Sequence, residues 1–171
     1  IDEELKTVEA ENIGQVSSDP EAIIAYAEFC LNSIDYRSLT QKLKVVVDCA
    51  NGAASSIAPL VFSELDLDTT FIHNKPSGLN MNFNDGSVHL DSLHLNVLKQ
   101  GADIGIAYDG DADRLMIVDA EGSVIDGDDI LYILANYYQQ EGRLNGGVVG
   151  TLMTNFGIEQ AFKSKGIPFE R

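Results

Sequence analysis

Three aspartates and an arginine lie close together at residues 109–114. Asp109, Asp111 and Asp113 are spaced two residues apart, and Arg114 directly follows the last of them. Carboxylates this close repel one another unless a cation lies between them, and ligands that are all oxygens favour a hard ion, Mg²⁺ before Zn²⁺. An arginine beside such a site offers a forked donor to a phosphate group. The cluster therefore predicts a magnesium site that also contacts a phosphate.

The residues on either side of the cluster predict how it is positioned. Apolar stretches at 102–108 and 115–118 are typical of strands, so the cluster lies at the carboxyl end of a strand, where open α/β sheets bind ligands. The alternative is a polar turn whose aspartates face water. A calcium EF-hand is excluded because Arg114 and Ala120 occupy the positions of its glycine and its final glutamate. The chain also lacks a Walker phosphate-binding loop.

Alternating strand and helix patterns continue along the chain. Ser18–Glu21 combines a capping residue with an early proline and predicts the start of a helix that packs on a sheet, and the apolar run at 43–48 predicts a buried strand. Further helices are expected at about 56–65, from about 90 to 100, from 127 to at least 137, and at 155–164, and further strands at 69–73, 115–119, 123–125, 147–152 and 167–169.

This alternation predicts a three-layer α/β fold with a mostly parallel sheet and flanking helices. The pattern restarts after Ile125, which predicts the start of a second, similar α/β domain. We therefore expect a tail or linker of a preceding domain at 1–18, one domain at 19–122 and the beginning of another at 123–171. The chain starts at Ile1 without an initiator methionine, so we expect it to be a piece of a longer protein.

Composition restricts the possible partners. A net charge of −16 over 171 residues argues against nucleic acid and against an anionic membrane surface. No transmembrane run or signal peptide is apparent, so a cytoplasmic location is expected.

Cys30 and Cys49 lie in apolar stretches and are interpreted as core residues. His73, His89 and His94 lack metal-ligand spacing and are interpreted as surface or helix-capping residues.

Asp109 to Arg114 resembles the magnesium loop of the α-D-phosphohexomutases. Residues 45–53 resemble the first strand and turn of that family's second domain, while 78–82 and 150–155 resemble its phosphoglucosamine mutase branch. The similarity runs from about Asp19 to the end of the chain. Ala112 departs from the family pattern, in which a second glycine is common, and is expected to cost little unless its φ is positive. Asp85 also departs from the family pattern, in which a small neutral residue is common at this position, and the sequence assigns it no consequence.

The resemblance implies an isomerase that interconverts glucosamine 6-phosphate and glucosamine 1-phosphate, a step toward peptidoglycan precursors. Asp109, Asp111 and Asp113 would bind Mg²⁺, and Arg114 would support a phosphate. The phosphoserine of the family's first domain is absent from these residues, as are the sugar-recognition loop and the final domain. The chain alone is therefore expected to be inactive, with the missing domains and a hexosamine phosphate as its partners. No substrate-binding residue can be assigned.

Three alternatives remain open. A phosphomannomutase or phosphoglucomutase would use the same chemistry on another sugar. A non-catalytic metal-binding module would keep the aspartates without turnover. A phosphatase with Asp109 as nucleophile and Asp111 as acid/base is disfavoured, because Asp113 occupies a position where such enzymes have a hydroxyl-bearing or branched residue.

Overall fold

The computed structural model describes residues 7–15, 17–38, 41–83 and 85–171, so part of the predicted tail at 1–18 lies outside the described residues. Its α-helices are α1 (Pro20–Asn32), α2 (Ala54–Ser63), α3 (Asp91–Gln100), α4 (Gly127–Gln140) and α5 (Phe156–Ser164). Its strands are β1 (Lys44–Asp48), β2 (Asp68–Ile72), β3 (Ile104–Tyr108), β4 (Leu115–Asp119), β5 (Val124–Ile125), β6 (Val148–Val149) and β7 (Phe169–Glu170).

Five strands form the main sheet in the order β2-β1-β3-β4-β5. β1 pairs in parallel with both β2 and β3, whereas β4 is antiparallel to β3 and to β5. Because β1, β2 and β3 run in the same direction, their carboxyl ends meet at one edge of the sheet. β4 begins at that same edge, so the β3–β4 connection lies there too.

Helices cover both faces of this sheet, which confirms the predicted three-layer class. Val45 and Val47 pack against the α2 side, and Val46 packs against α3 on the other side, as expected from the alternation of side chains along a strand. Val118 of β4 joins the α3 side. The burial of these strands on both faces explains the continuous apolar run that β1 shows in the sequence.

Helix α1 begins where the sequence predicts, but it does not pack as predicted. Asp19 caps it by accepting the Glu21 amide hydrogen bond at 3.0 Å. α1 packs against α2 rather than on the sheet, because α2 already covers that face of β1. Only Ala27 and Leu31 of α1 are buried.

Residues after β5 form a second α/β unit. α4 and α5 accompany a parallel pair, β6 and β7, around a small core that contains Phe162. Asp126 and Asp129 form a capping box at the start of α4. Among the described residues, none of the helices combines the length and the apolar content that crossing a bilayer requires.

Candidate metal centre

The turn between β3 and β4, residues 109–114, is called the metal loop here. It brings together the three predicted ligands: carboxylate oxygens of Asp109, Asp111 and Asp113 all lie within 4.8 Å of one another. Asp109 is completely buried, whereas Asp111 and Asp113 are exposed. The backbone N–H of Ala112 donates to the Asp109 carbonyl oxygen at 3.1 Å and closes the turn. The loop thus presents two exposed carboxylates above one that is fixed in the sheet edge.

Arg114 contacts two of these carboxylates. Its backbone N–H donates to Asp109 Oδ1 at 3.1 Å, and its side-chain Nε donates to Asp109 Oδ2. The same Nε lies 3.5 Å from Asp113 Oδ1. The buried carboxylate therefore has a cationic partner, and the exposed guanidinium stays at the mouth of the loop.

The charges in the metal loop shift its pKa values in opposite directions. Burial alone would raise the pKa of Asp109, but hydrogen bonds from Arg114 and its charge lower that pKa below its usual range. The pKa of Asp113 is raised, chiefly by the negative charge of Asp111. The pKa of Arg114 is raised by its hydrogen bond to Asp109. The loop therefore holds negative charge that Arg114 only partly neutralises.

This donor set fits a hard divalent cation. All the candidate ligand atoms are carboxylate oxygens, and within the described part of the chain this is the one cluster of three or more potential metal-ligating groups. Mutual repulsion between Asp111 and Asp113 is the kind of unfavourable interaction that a bound cation relieves. Asp109, Asp111 and Asp113 could hold such an ion, and Mg²⁺ is the predicted one.

Ala112 has the positive φ at which an alanine in place of glycine is costly. Its φ is +59°, in the left-handed region. An L-residue there costs about 1–2 kcal/mol, whereas glycine tolerates the conformation. The condition for a small cost is therefore not met at this residue, because the turn has a positive φ at its centre.

Gly110 lies in close contact with the neighbouring loops and has no positive φ. A methyl group on Gly110 would lie 2.6 Å from Met81 Sδ and 2.8 Å from Asn82 Nδ2. On another side, a methyl group on Gly52 would lie 2.2 Å from the Gly110 carbonyl oxygen, which accepts a 2.8 Å hydrogen bond from Ala53 N–H. The turn after β1 and the loop after β2 thus both contact the metal loop at Gly110, which lies between Asp109 and Asp111.

A polar network that the sequence pattern does not predict lies at the same edge of the sheet as the metal loop. His73 Nδ1 lies 2.9 Å from Asp48 Oδ2, and Asn51 Nδ2 donates to Asp85 Oδ2 at 2.8 Å. His73 is therefore half-buried and contacts a buried carboxylate, and Asp85 is itself buried and hydrogen-bonded. His94 also makes a specific contact, with Nδ1 3.0 Å from the Gly122 carbonyl oxygen. The one available signal was that Asp48 and His73 fall at the ends of adjacent predicted strands.

The two cysteines are free thiols. Cys49 is buried, as expected, and Cys30 is half-buried between α1 and α2. An apolar cleft of about 280 Å³ lies beside Cys30 and reaches Asp111 and Ala112 of the metal loop. The rim of the predicted metal site is therefore apolar on this side.

Comparison with protein families identifies two consecutive matches. Residues 24–122 match a family model described as "Phosphoglucomutase/phosphomannomutase, alpha/beta/alpha domain II". Residues 126–171 match the corresponding domain III model. The first match alone covers more than half of the chain and includes the whole metal loop.

Individual relatives agree with this assignment. Proteins named phosphoglucosamine mutase from Pseudomonas putida (strain KT2440) and Marinobacter nauticus (strain VT8) are each 47% identical over 100% of this chain, which spans 38% of their length. A phosphoglucomutase/phosphomannomutase family protein from Burkholderia thailandensis has a similar fold, with a TM-score of 0.63 at 23% identity over 87% of this chain and 37% of its own. The chain therefore belongs to the phosphoglucomutase/phosphomannomutase family.

Proposed function

We propose that this chain supplies the magnesium-binding part of a phosphohexomutase that interconverts glucosamine 6-phosphate and glucosamine 1-phosphate. The observation that carries the proposal is the cluster of Asp109, Asp111 and Asp113 at the carboxyl edge of the sheet, with Arg114 beside it. The hexosamine substrate is supported by the name that relatives 47% identical over the whole chain carry. We also propose domain limits at 19–122 and 123–171, and a cytoplasmic location.

Each residue of the metal loop has a distinct part in this proposal. Asp109 is oriented in advance, because Arg114 holds both of its carboxylate oxygens. Asp111 and Asp113 complete the ligand set from the exposed side. Bound there, Mg²⁺ would supply positive charge that stabilises a phosphate undergoing transfer. Arg114 offers further donors to that phosphate from the exposed mouth of the loop.

A second candidate has the same chemistry and a different sugar. The matching family models are described as phosphoglucomutase and phosphomannomutase, which favours glucose or mannose phosphates as substrates. The metal loop supports both candidates equally, because it would act on the phosphate and not on the sugar ring.

Calorimetric titration of the chain with Mg²⁺ tests the metal site directly. Asp113→Asn should abolish the binding heat, because it removes one of three ligands. The matched control is Asp68→Asn, which changes an exposed aspartate at the amino end of β2, the opposite edge of the sheet. Equal Mg²⁺ binding in both variants would contradict the ligand assignment.

A mutase assay of the full-length parent protein tests the substrate. Glucosamine, mannose and glucose phosphates are offered separately, with Mg²⁺ and a sugar bisphosphate primer. Preference for glucosamine 6-phosphate supports the first candidate, and preference for another sugar supports the second. Absence of turnover in a folded, phosphorylated, Mg²⁺-binding parent would favour the non-catalytic module.

A further inference from the structure

Three ionisable side chains with no part in the proposed function lie together at the sheet edge that carries the metal loop. Asp48 is the last residue of β1, His73 directly follows β2, and Asp85 precedes a short 3₁₀ helix, Gly86–Val88. Asp48 is fully buried and Asp85 is 2% exposed, so both carboxylates are removed from water. Such burial is costly for ionised groups unless they are paired and hydrogen-bonded.

His73 lies between these carboxylates. Its Nδ1 is 2.9 Å from Asp48 Oδ2 and 4.0 Å from Asp85 Oδ2. We assign the Nδ1 proton from its partners, since a carboxylate can only accept. On the other side of the ring, Nε2 lies 3.5 Å from Ser92 Oγ of α3.

Asp48 binds backbone N–H groups at two separate places, and Asp85 binds a side chain at one of them. Asp48 accepts hydrogen bonds from Ala50 N–H at 2.9 Å and from Gly86 N–H at 3.2 Å. Asp85 accepts from Asn51 Nδ2 at 2.8 Å. The turn after β1 and the segment at 85–86 are therefore tied to each other through the cluster.

Both of these places support the β3 end that carries the metal loop. The turn after β1 donates the Ala53 N–H hydrogen bond to Gly110, and a methyl group on Gly52 would touch the Gly110 carbonyl oxygen. A methyl group on Gly86 would lie 2.6 Å from the Tyr108 carbonyl oxygen, directly before Asp109. A shift of either support must therefore move the metal loop.

We propose that His73 is a positioning residue for the metal loop, because it holds the carboxylates of Asp48 and Asp85 together and so fixes the turn on which Gly110 rests. The contacts described above support this positioning role independently of any bound metal. Its consequence for Mg²⁺ affinity rests on the proposed function.

Two substitutions at His73 distinguish the effect of losing the ring from the effect of straining the backbone. Its φ is +46°, a left-handed conformation that glycine and asparagine tolerate. His73→Gly removes the ring without adding backbone strain, while His73→Asn keeps an N–H donor near the place of Nδ1. The matched control is His94→Gln, which changes a histidine whose contact lies at the opposite edge of the sheet.

Amide hydrogen exchange of the metal-free chain tests the positioning role. His73→Gly should speed exchange of the Ala53 and Arg114 amides by about tenfold or more, because a charge-assisted contact is lost, while the β3–β4 ladder amides keep their rates. His73→Asn should restore most of the protection. Unchanged Ala53 and Arg114 rates in His73→Gly, or equal acceleration at all amides, would overturn the proposal.

The double variant H73G/D85N keeps the test decisive if His73→Gly does not fold. It leaves Asp48 as the one carboxylate of this cluster and is compared with Asp85→Asn alone, where the same tenfold difference at Ala53 is expected. In variants that bind Mg²⁺, calorimetry should show about tenfold weaker affinity for His73→Gly and no change for His94→Gln. Absence of Mg²⁺ binding in the unsubstituted chain would refute the proposed metal site and leave the exchange result standing.

Discussion

Replacing Gly52 with alanine is the sharpest structural perturbation of the metal loop. The added methyl group would lie 2.2 Å from the Gly110 carbonyl oxygen and 2.7 Å from the Gly110 carbonyl carbon and Cα. These are backbone atoms, so no side-chain rotation can relieve the overlap. Either the turn after β1 or the metal loop must move away, and the 2.8 Å hydrogen bond from Ala53 N–H to Gly110 is lengthened or lost.

The cost has two parts. Overpacking of a well-packed site costs about 1–3 kcal/mol, and loss of a neutral hydrogen bond adds about 0.5–1.5 kcal/mol. Gly52→Ala should therefore lower the free energy of unfolding by about 3 kcal/mol. For a chain of this length that corresponds to a fall in Tm of about 6–12 °C. Because Gly110 lies between two proposed ligands, Mg²⁺ affinity should fall as well.

Urea unfolding followed by circular dichroism at 222 nm measures this cost. The control is Gly127→Ala, whose added methyl group meets no atom within 4 Å at the start of α4 and should change stability by no more than about 0.5 kcal/mol. If Gly52→Ala unfolds at the same urea concentration as Gly127→Ala, with the same slope, the close contact between Gly52 and Gly110 does not exist in solution.

Three further predictions follow from the charges and thiols. Asp111→Asn should raise the Tm of the metal-free chain in EDTA, because the charge of Asp111 raises the pKa of Asp113, and should abolish any gain on adding Mg²⁺; a lower Tm in EDTA would contradict this. Burial above all raises the pKa of Asp85, so the free energy of unfolding falls as pH rises from the ordinary aspartate range through that raised pKa. Asp85→Asn should accordingly stabilise the chain more near neutral pH than in acid, and an equal effect at both would refute the assignment. Burial, followed by the charge of Asp48, raises the pKa of Cys49 to about 12, so Ellman's reagent should modify only Cys30 in the folded chain and both thiols in urea; rapid reaction of two thiols in the folded chain would show that Cys49 is accessible.

The sequence predicts best the features that depend on neighbouring residues. The metal loop is contiguous, its flanking strands are apolar, and the start of α1 carries its own capping signal, so local patterns are sufficient for these elements. The assignment of Asp109, Asp111 and Asp113 as ligands stays a prediction, although the structure brings the three carboxylates together.

Features that join distant residues could not be predicted in the same way. Gly52 touches Gly110, and His73 contacts Asp48, only because parallel pairing aligns the ends of different strands. Periodicity assigns a residue to a face of one element but does not say which side chains meet across elements. The positive φ of Ala112 cannot be inferred from alanine itself, which carries no turn signal, and only the glycine common in the family at this position indicates it.

The β3–β4 pairing has a consequence for the order in which the site can assemble. Tyr108 pairs with Leu115, so this hairpin closes over only six residues, which are the metal loop itself. The parallel pairing of Val45 with Ile104 instead closes the 58 residues from 46 to 103. Loop-closure entropy is smaller for the short connection, and hairpins form in about 1–10 μs. The three carboxylates can therefore be gathered early in folding, while the turn after β1 that supports them arrives only with the slower long-range pairing.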